Sequence, residues 1–466
     1  MTVVTRSKTA SAPQARTGGT TSGAFTSSTR RLEGSPDVDP VALFGAALSL
    51  GLEPFLWLQP DRSSAVVGIG AAWASSATGR GRFGAIAAAW ESCLAASRIE
   101  TVDGRGPILV GGLGFSGEVP RDPIWVAFGA ASMVLPELIL AKTPGGEWLT
   151  TSYDFGLGPD QASRLARLWQ ELLVGATSAI SGGAEAPMPR LSVVASRPER
   201  AVWERLIDRL AGAVGRGRLD KVVLARRTDL VAKAPLDVVG ALRRLAAGSP
   251  NSTTYAVARS QSVFLGATPE RLVSTQGREF QTVAMAGSIR HSDDASEEAM
   301  LAHDLLGSDK DREEHAIVVE TLRARLSPIV SELVVAPAPV VARFGPVQHL
   351  VTAISGRLRS PSGILALAAL LHPTPAVGGE PLELALELIA EHESFERGWY
   401  AGPLGWVGAD GDGDLVVALR CGVVSGPSAA LFAGCGIVAD SDPAREWDES
   451  RSKMQVVAAA LGEVQE

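Results

Sequence analysis

Cysteine, lysine and histidine are all scarce in this chain of 466 residues. The three cysteines, Cys93, Cys421 and Cys435, have no metal-ligand spacing and suggest no disulfide framework, which fits a reducing cytoplasm. The six histidines show no ligand pairing, and no Ser/His/Asp or Cys/His arrangement can be read from spacing. Positive charge is in deficit: the formal net charge is -8, which argues against a nucleic-acid partner. No apolar run approaches the ~20 residues that a membrane span requires, so no membrane partner is expected either. Arginine far outnumbers lysine, so the few lysines in apolar settings draw attention.

The composition that remains, 46% hydrophobic and 20% charged, is that of a globular protein with ample length for a large core. Residues 1–34 are rich in Ser, Thr and basic residues and read as a disordered tail. Residues 35–185 form an N-terminal half, 181–190 a linker, and 190–466 the region that carries the chemistry. "VALFGAALSLGL" and "GRFGAIAAAWESCLAAS" predict helices; "PFLWLQPD", "SAVVGIGAAW", "PILVGGLGFSG" and "WVAFGAASMVLPELILAK" predict sheet. Val202, Trp203, Leu206, Ile207, Leu210 and Val214 form one helical stripe. Beyond it β and α segments alternate, a pattern that alone points to parallel βαβ units.

Two motifs mislead. Gly112, Gly114 and Gly117 match G-x-G-x-x-G, but Pro120 and Pro123 stand where the dinucleotide-binding helix would open. Asp410, Asp412 and Asp414 resemble a calcium loop, but Leu415 and Cys421 replace its Gly and Glu, which leaves a hairpin turn.

"GSDKDREEHAIVVE" (307–320) runs six charged residues, Asp309 to Glu314, into an apolar helix that Ser308 can cap. "DPAREWDESRSKM" (442–454) predicts a second helix, with Asp442 as cap and Pro443 at its first position. Asp311, Glu314 and His315 share a face of the first; Glu446, Glu449 and Lys453 share a face of the second. Two helices each offering carboxylates one turn apart suit Mg²⁺, provided they face one pocket. Otherwise the acids are exposed and paired with Arg312 and Arg451.

Lys221 opens the apolar strand "KVVLARR" and either reaches water or, in a dry pocket, serves as a base. Arg420 interrupts the apolar "LVVALRCGVV", on a face with Val416, Ala418 and Gly422, and needs a carboxylate partner from the protein or a ligand. Glu270 sits in a Thr-Pro-Glu turn and is either a surface acid or a general acid at a pocket rim. The glycines of "VAMAGSI" and "FAGCGIV" could bare backbone N–H groups to an anion or simply make tight turns.

In order, KVVLARR, GATPERLV, AMAGS, KDREEHAIVV, VQHLVTAISGRL, LHPTPAVGGEP, ERGWYAGPLGW, ALRCG and AGCGIVADSDPAREWDESRSK resemble the chorismate-utilising enzymes, most of all the isochorismate synthases. The resemblance covers about 220–455 closely and the N-terminal half more loosely. It implies an α/β (α+β) fold: one large unit of two packed, mostly antiparallel sheets with helices outside. It implies that Lys221 activates water to attack C2 of chorismate and that Glu270 protonates the departing C4 hydroxyl. Glu314 and Glu449 would hold Mg²⁺, with Asp311 and Glu446 steadying its waters. Arg420, Tyr400 and the Gly434–Gly436 amides would hold the enolpyruvyl carboxylate; Gly287, Ser288, Lys453 and His349 would complete the pocket. Relatives that add ammonia or release pyruvate generally carry Thr at Ala376 and a lysine at Pro381; the HPTPA form is that of isochorismate synthases. A salicylate synthase or a non-catalytic chorismate binder are the alternatives. Chorismate is the expected small-molecule partner of a cytoplasmic monomer, with no glutaminase subunit.

Overall fold

The computed structural model describes residues 23–33, 37–157, 160–181 and 187–465. Two sheets dominate, one of fourteen strands and one of ten. Among the described residues only two ladders are parallel, Phe25–Arg31 with Arg98–Glu100 and Arg190–Arg197 with Glu463–Gln465. The alternation of β and α segments therefore does not build βαβ units. Short hairpins such as Thr253–Arg259 with Ser262–Thr268 place sequence neighbours side by side instead. Both halves of the chain enter both sheets: Phe55–Gln59 pairs with Thr253–Arg259, and Ile108–Leu113 with Pro403–Gly408.

The expected tail at 1–34 needs correction, because Phe25–Arg31 is a strand of the larger sheet, antiparallel to Gly146–Asp154. Its polar composition conceals a period of two. Phe25, Ser27 and Thr29 face inward, Phe25 stacks on Trp90 with ring centroids 5.7 Å apart, and buried hydroxyls pair across the ladder. Thr29 meets Thr150 at 2.9 Å, and Ser152 donates to Ser27 at 3.0 Å. Half of the expected linker, 182–186, lies outside the described residues. The segment expected as continuous sheet from Trp125 begins instead with a one-turn helix, Pro123–Val126, capped by Asp122, before strands Ala131–Leu135 and Leu138–Thr143.

The core has two parts. Aromatic side chains such as Trp125, Phe128, Phe264 and Trp399 fill the space between the sheets. An aliphatic layer that includes Leu56, Val67, Leu140 and Leu431 lies on the larger sheet's other face, under the helices Pro40–Ser49, Asp160–Ser181, Val238–Gly248 and Pro443–Leu461. Trp203, Ile207 and Leu210 of the helix Arg200–Val214 are buried as the stripe predicts, whereas Val202 is exposed at its edge.

Two helices position the acids. Ser308 caps Asp309–Leu326, which packs on strand Glu279–Arg290 of the smaller sheet. Pro443–Leu461 packs on strand Ser428–Ile437 of the larger one. Asp442 accepts from the Arg445 N–H at 2.9 Å and Pro443 holds the first position, as expected. Asp442→Ala should cost about 0.5–2 kcal/mol through loss of this cap, measurable as a lower thermal midpoint.

Candidate active site

Lys221 lies at the first position of strand Lys221–Val231, antiparallel to Ser428–Ile437. Alternation turns Lys221 and Val223 to one face and sends Val222 and Leu224 into the core. Lys221 does not reach water: it is 1% exposed, and its Nζ is 2.8 Å from Glu314 Oε1. Across the ladder from Val223 stands Gly436, where a Cβ would fall 2.2 Å from Glu314 Oε1 and 2.6 Å from Lys221 Cε. Only glycine leaves that space to the amine and the acid.

The acids of the two helices converge. Glu314 comes from the Asp309 helix, Glu449 from the Pro443 helix, and each is matched by a lysine: Lys453 Nζ lies 2.6 Å from Glu449 and donates to Gly434 O at 3.0 Å. Glu446 sits behind, 1% exposed, bonded to Lys310 Nζ at 2.8 Å, with ligand atoms of Glu446, Glu449 and Cys435 within 4.8 Å of one another. Burial, then the adjacent Glu449, pushes Glu446 up in pKa. Burial acts the same way on Glu449, but the charge and hydrogen bond of Lys453, with help from Ser288 and Lys310, outweigh it and the net shift is downward. Asp311 hydrogen-bonds back to Ser308 and stands against Gly287. Arg312 and Arg451 pair with Asp309 and Asp448 on the exposed side.

Glu270 follows strand Ser262–Thr268 and is 4% exposed. Burial raises its pKa to about 7, against the pull of Lys221 and Lys453. It is thus no surface acid, and near neutrality it can carry a proton.

Arg420 corrects the strand reading. The strands are Gly413–Val417 and Cys421–Ser425, and Arg420 lies in the break between them with φ of 46°. Val416, Ala418, Arg420 and Gly422 therefore share no continuous strand face. The Arg420 guanidinium donates to Phe344 O and to His349 Nε2, the latter at 2.7 Å. His349 is held neutral by burial and by Arg420 and Lys453, which lower it to about 3. It donates from Nδ1 to Gly287 O at 3.1 Å, so Nε2 is free to accept. Burial alone moves Arg420, to about 10, with no carboxylate among the described residues offsetting its charge. A buried cation with only neutral acceptors is suited to an anionic ligand.

Two backbone irregularities open the pocket to that ligand. The ladder between Glu279–Arg290 and Val347–Leu358 shifts register at Gly287, whose φ of 73° favours glycine. The bulge brings Gly287 and Ser288 to the cavity wall. Ser428–Ile437 has a second ladder partner only as far as Phe432, opposite Cys421. From Ala433 to Ile437 it pairs with Lys221–Val231 alone, so alternate N–H groups around Gly434 have no strand on their open side. Tyr400 stacks on Phe432 at 5.5 Å and 17° and faces the same space.

Lys221, Glu270, Gly287, Ser288, Glu314, His349, Ala376, Tyr400, Arg420, Gly434, Glu449 and Lys453 all line one cavity. Asp311 and Glu446 lie just behind its wall. Met285, Val377, Leu419 and Phe432 supply apolar surface that sequence reading did not single out. Lys310 was also missed, although it falls four residues before Glu314 on one helical face.

Residues 20–462 match the family model for "Chorismate binding enzyme". The chain is 36% identical to the salicylate biosynthesis isochorismate synthase of Pseudomonas aeruginosa, over 92% of this chain and 88% of that protein. It is 31% identical to the isochorismate synthase MenF of Bacillus subtilis, over 91% of each. The structure of Escherichia coli MenF, a menaquinone-specific isochorismate synthase, superposes with a TM-score of 0.74 at 25% identity, covering 95% of this chain and 96% of that one. Anthranilate synthase component I from Streptococcus pneumoniae shares the fold at a TM-score of 0.61 and 23% identity, over 75% of this chain and 80% of that one.

Proposed function

The chain belongs to the chorismate-binding enzymes, and from that premise we propose that it is an isochorismate synthase that exchanges the C4 hydroxyl of chorismate for a hydroxyl at C2. The observation that carries this reading is the meeting of Lys221, a base at the start of a strand, and Glu270, an acid in the turn between two others, in one cavity with a buried arginine that only neutral acceptors partner. A base beside C2 and an acid beside C4 are what the exchange requires.

In this reading Lys221, as the free amine, takes a proton from the attacking water while the water oxygen bonds to C2. The ring double bonds shift, the C4–O bond breaks, and Glu270 gives its proton to the departing oxygen, so that one water enters and one leaves. Arg420, held in place by His349, and the open N–H groups around Gly434 bind the enolpyruvyl carboxylate, with Tyr400 beside them. Gly287, Ser288 and Lys453 close the pocket, and Ala376 leaves room for the water.

The donor set fits Mg²⁺, a hard cation that binds through one or two carboxylates. Glu314 and Glu449 would hold it, with Glu446 and Asp311 behind. When bound it would neutralise the ring carboxylate and draw electron density from the ring.

Chromatography of the products formed from chorismate by the purified enzyme with Mg²⁺ tests the proposal. Isochorismate is expected, reached from either direction. Salicylate as the main product would replace the proposal with a synthase that also eliminates pyruvate, and tight chorismate binding without turnover would reduce the protein to a binder.

The acid also sets a pH dependence. Glu270 donates only when protonated, a form populated below its pKa and lost above it. With that value near 7, kcat/KM should fall as pH rises through about 7, approaching tenfold per unit beyond it. Glu270→Gln should remove the limb along with most of the activity; a profile flat from pH 6 to 9 in the wild type would argue against Glu270 as the acid.

A further inference from the structure

Thr374 is a buried hydroxyl with no role in the reading above. It lies between helix Ile364–Leu371 and Gly379, in a segment fastened at several points. Arg325 donates to Leu371 O at 2.9 Å and to Pro373 O at 3.0 Å. The His372 ring bonds to Phe115 O at 3.1 Å, and Arg397 donates to Val377 O at 2.8 Å. The N–H groups of Val377 and Gly378 both close onto Thr374 O, at 3.1 and 2.9 Å. The backbone at Thr374 is therefore fixed, and two residues on the same loop places Ala376 at the cavity wall.

The Thr374 side chain is only 4% exposed. Its Oγ1 makes no fully formed hydrogen bond among the described residues, a costly condition for a buried hydroxyl. The group it approaches is the Glu270 carboxyl, whose ionised form it favours. Catalytic hydrogen bonds are often loose in the free enzyme and tighten when the substrate is bound.

We propose that Thr374 is a positioning residue for the general acid, donating to the Glu270 oxygen that faces away from the substrate. This rests on the reading of Glu270 given above. With that oxygen occupied as an acceptor, the acidic proton resides on the oxygen facing the C4 hydroxyl. As the C4–O bond breaks, its electron pair stays on the departing oxygen, which takes the Glu270 proton and leaves as water. The carboxylate left behind keeps the Thr374 donor, so the hydroxyl stabilises the charge that develops on the acid.

The test compares Thr374→Val, which keeps the shape and removes the donor, with Thr374→Ser, which keeps the donor. Thr374→Val should lower kcat for isochorismate by roughly ten- to hundredfold, the size expected for a hydrogen bond to a charged group, with KM changed by less than about twofold. Its alkaline limb should move to higher pH, because the carboxylate has lost a donor. Thr374→Ser should restore both. A direct readout needs no turnover: infrared difference spectra against Glu270→Gln isolate the Glu270 carboxyl band, whose titration midpoint should rise in Thr374→Val and return in Thr374→Ser. Should Thr374→Val not give folded protein by circular dichroism, Thr374→Ala serves in its place. A wild type that makes no isochorismate defeats the functional reading but leaves the infrared titration decisive. An unmoved midpoint, an unmoved pH limb in an active enzyme, or no rescue by serine overturns the positioning role.

Discussion

Lys221→Met is expected to abolish nearly all isochorismate formation while chorismate still binds. Positioned proton transfer contributes typically ~10²–10⁴-fold, and kcat should fall by that factor. Methionine suits the test because the Lys221 side chain is 1% exposed and an unbranched apolar replacement fills its volume. The substitution also leaves Glu314 without its 2.8 Å partner, so thermal stability has to be followed alongside activity. Lys221→Arg separates two explanations: arginine keeps a positive charge near Glu314 but stays protonated and cannot take a proton from water. Both variants should be inactive if Lys221 is the base. If the arginine variant turns over normally, or if methionine leaves the rate intact, Lys221 acts only as a counter-ion and the water must be activated elsewhere.

Chelation of divalent cations should remove activity, and added Mg²⁺ should restore it. Glu449→Gln should raise the Mg²⁺ concentration needed by more than ~100-fold, since even loss of an outer partner of a metal site commonly costs 10–100-fold. The expectation follows from the neighbourhood: ligand atoms of Glu446 and Glu449 lie within 4.8 Å of each other, and Glu314 shares the cavity. The measurements are the Mg²⁺ dependence of the rate and calorimetric Mg²⁺ binding to wild type and variant. Undiminished turnover after exhaustive chelation would remove the metal from the mechanism and leave the lysines as the cations for the ring carboxylate.

The lysines were legible for a simple reason. In a chain with so few, an amine that opens an apolar strand is either a stray or a functional group, and Lys221 proved to be buried. Lys310 was harder to see, because its charged neighbours Asp309 and Arg312 form an exposed pair of the ordinary kind. The N-terminal strand is hidden from composition because a run rich in Ser and Thr has the signature of disorder, whereas alternate Ser27 and Thr29 pair their hydroxyls inside the sheet. Arg420 was placed in a continuous strand because its flanks are apolar; the chain instead breaks there, and the left-handed backbone aims the guanidinium at the cavity.

Local patterning by itself determined where the acid-bearing helices begin, since Ser308 and Asp442 cap them through contacts within three residues. It also determined which carboxylates share a helical face, because that depends only on the helical repeat. The meeting of those faces was decided by tertiary structure alone. One helix packs on the smaller sheet and the other on the larger, and only the closing of the two sheets over an aromatic core brings Glu314 and Glu449 to a common cavity. The same closure buries Glu270 and so sets its proton affinity, a property of surroundings that residues remote in sequence supply.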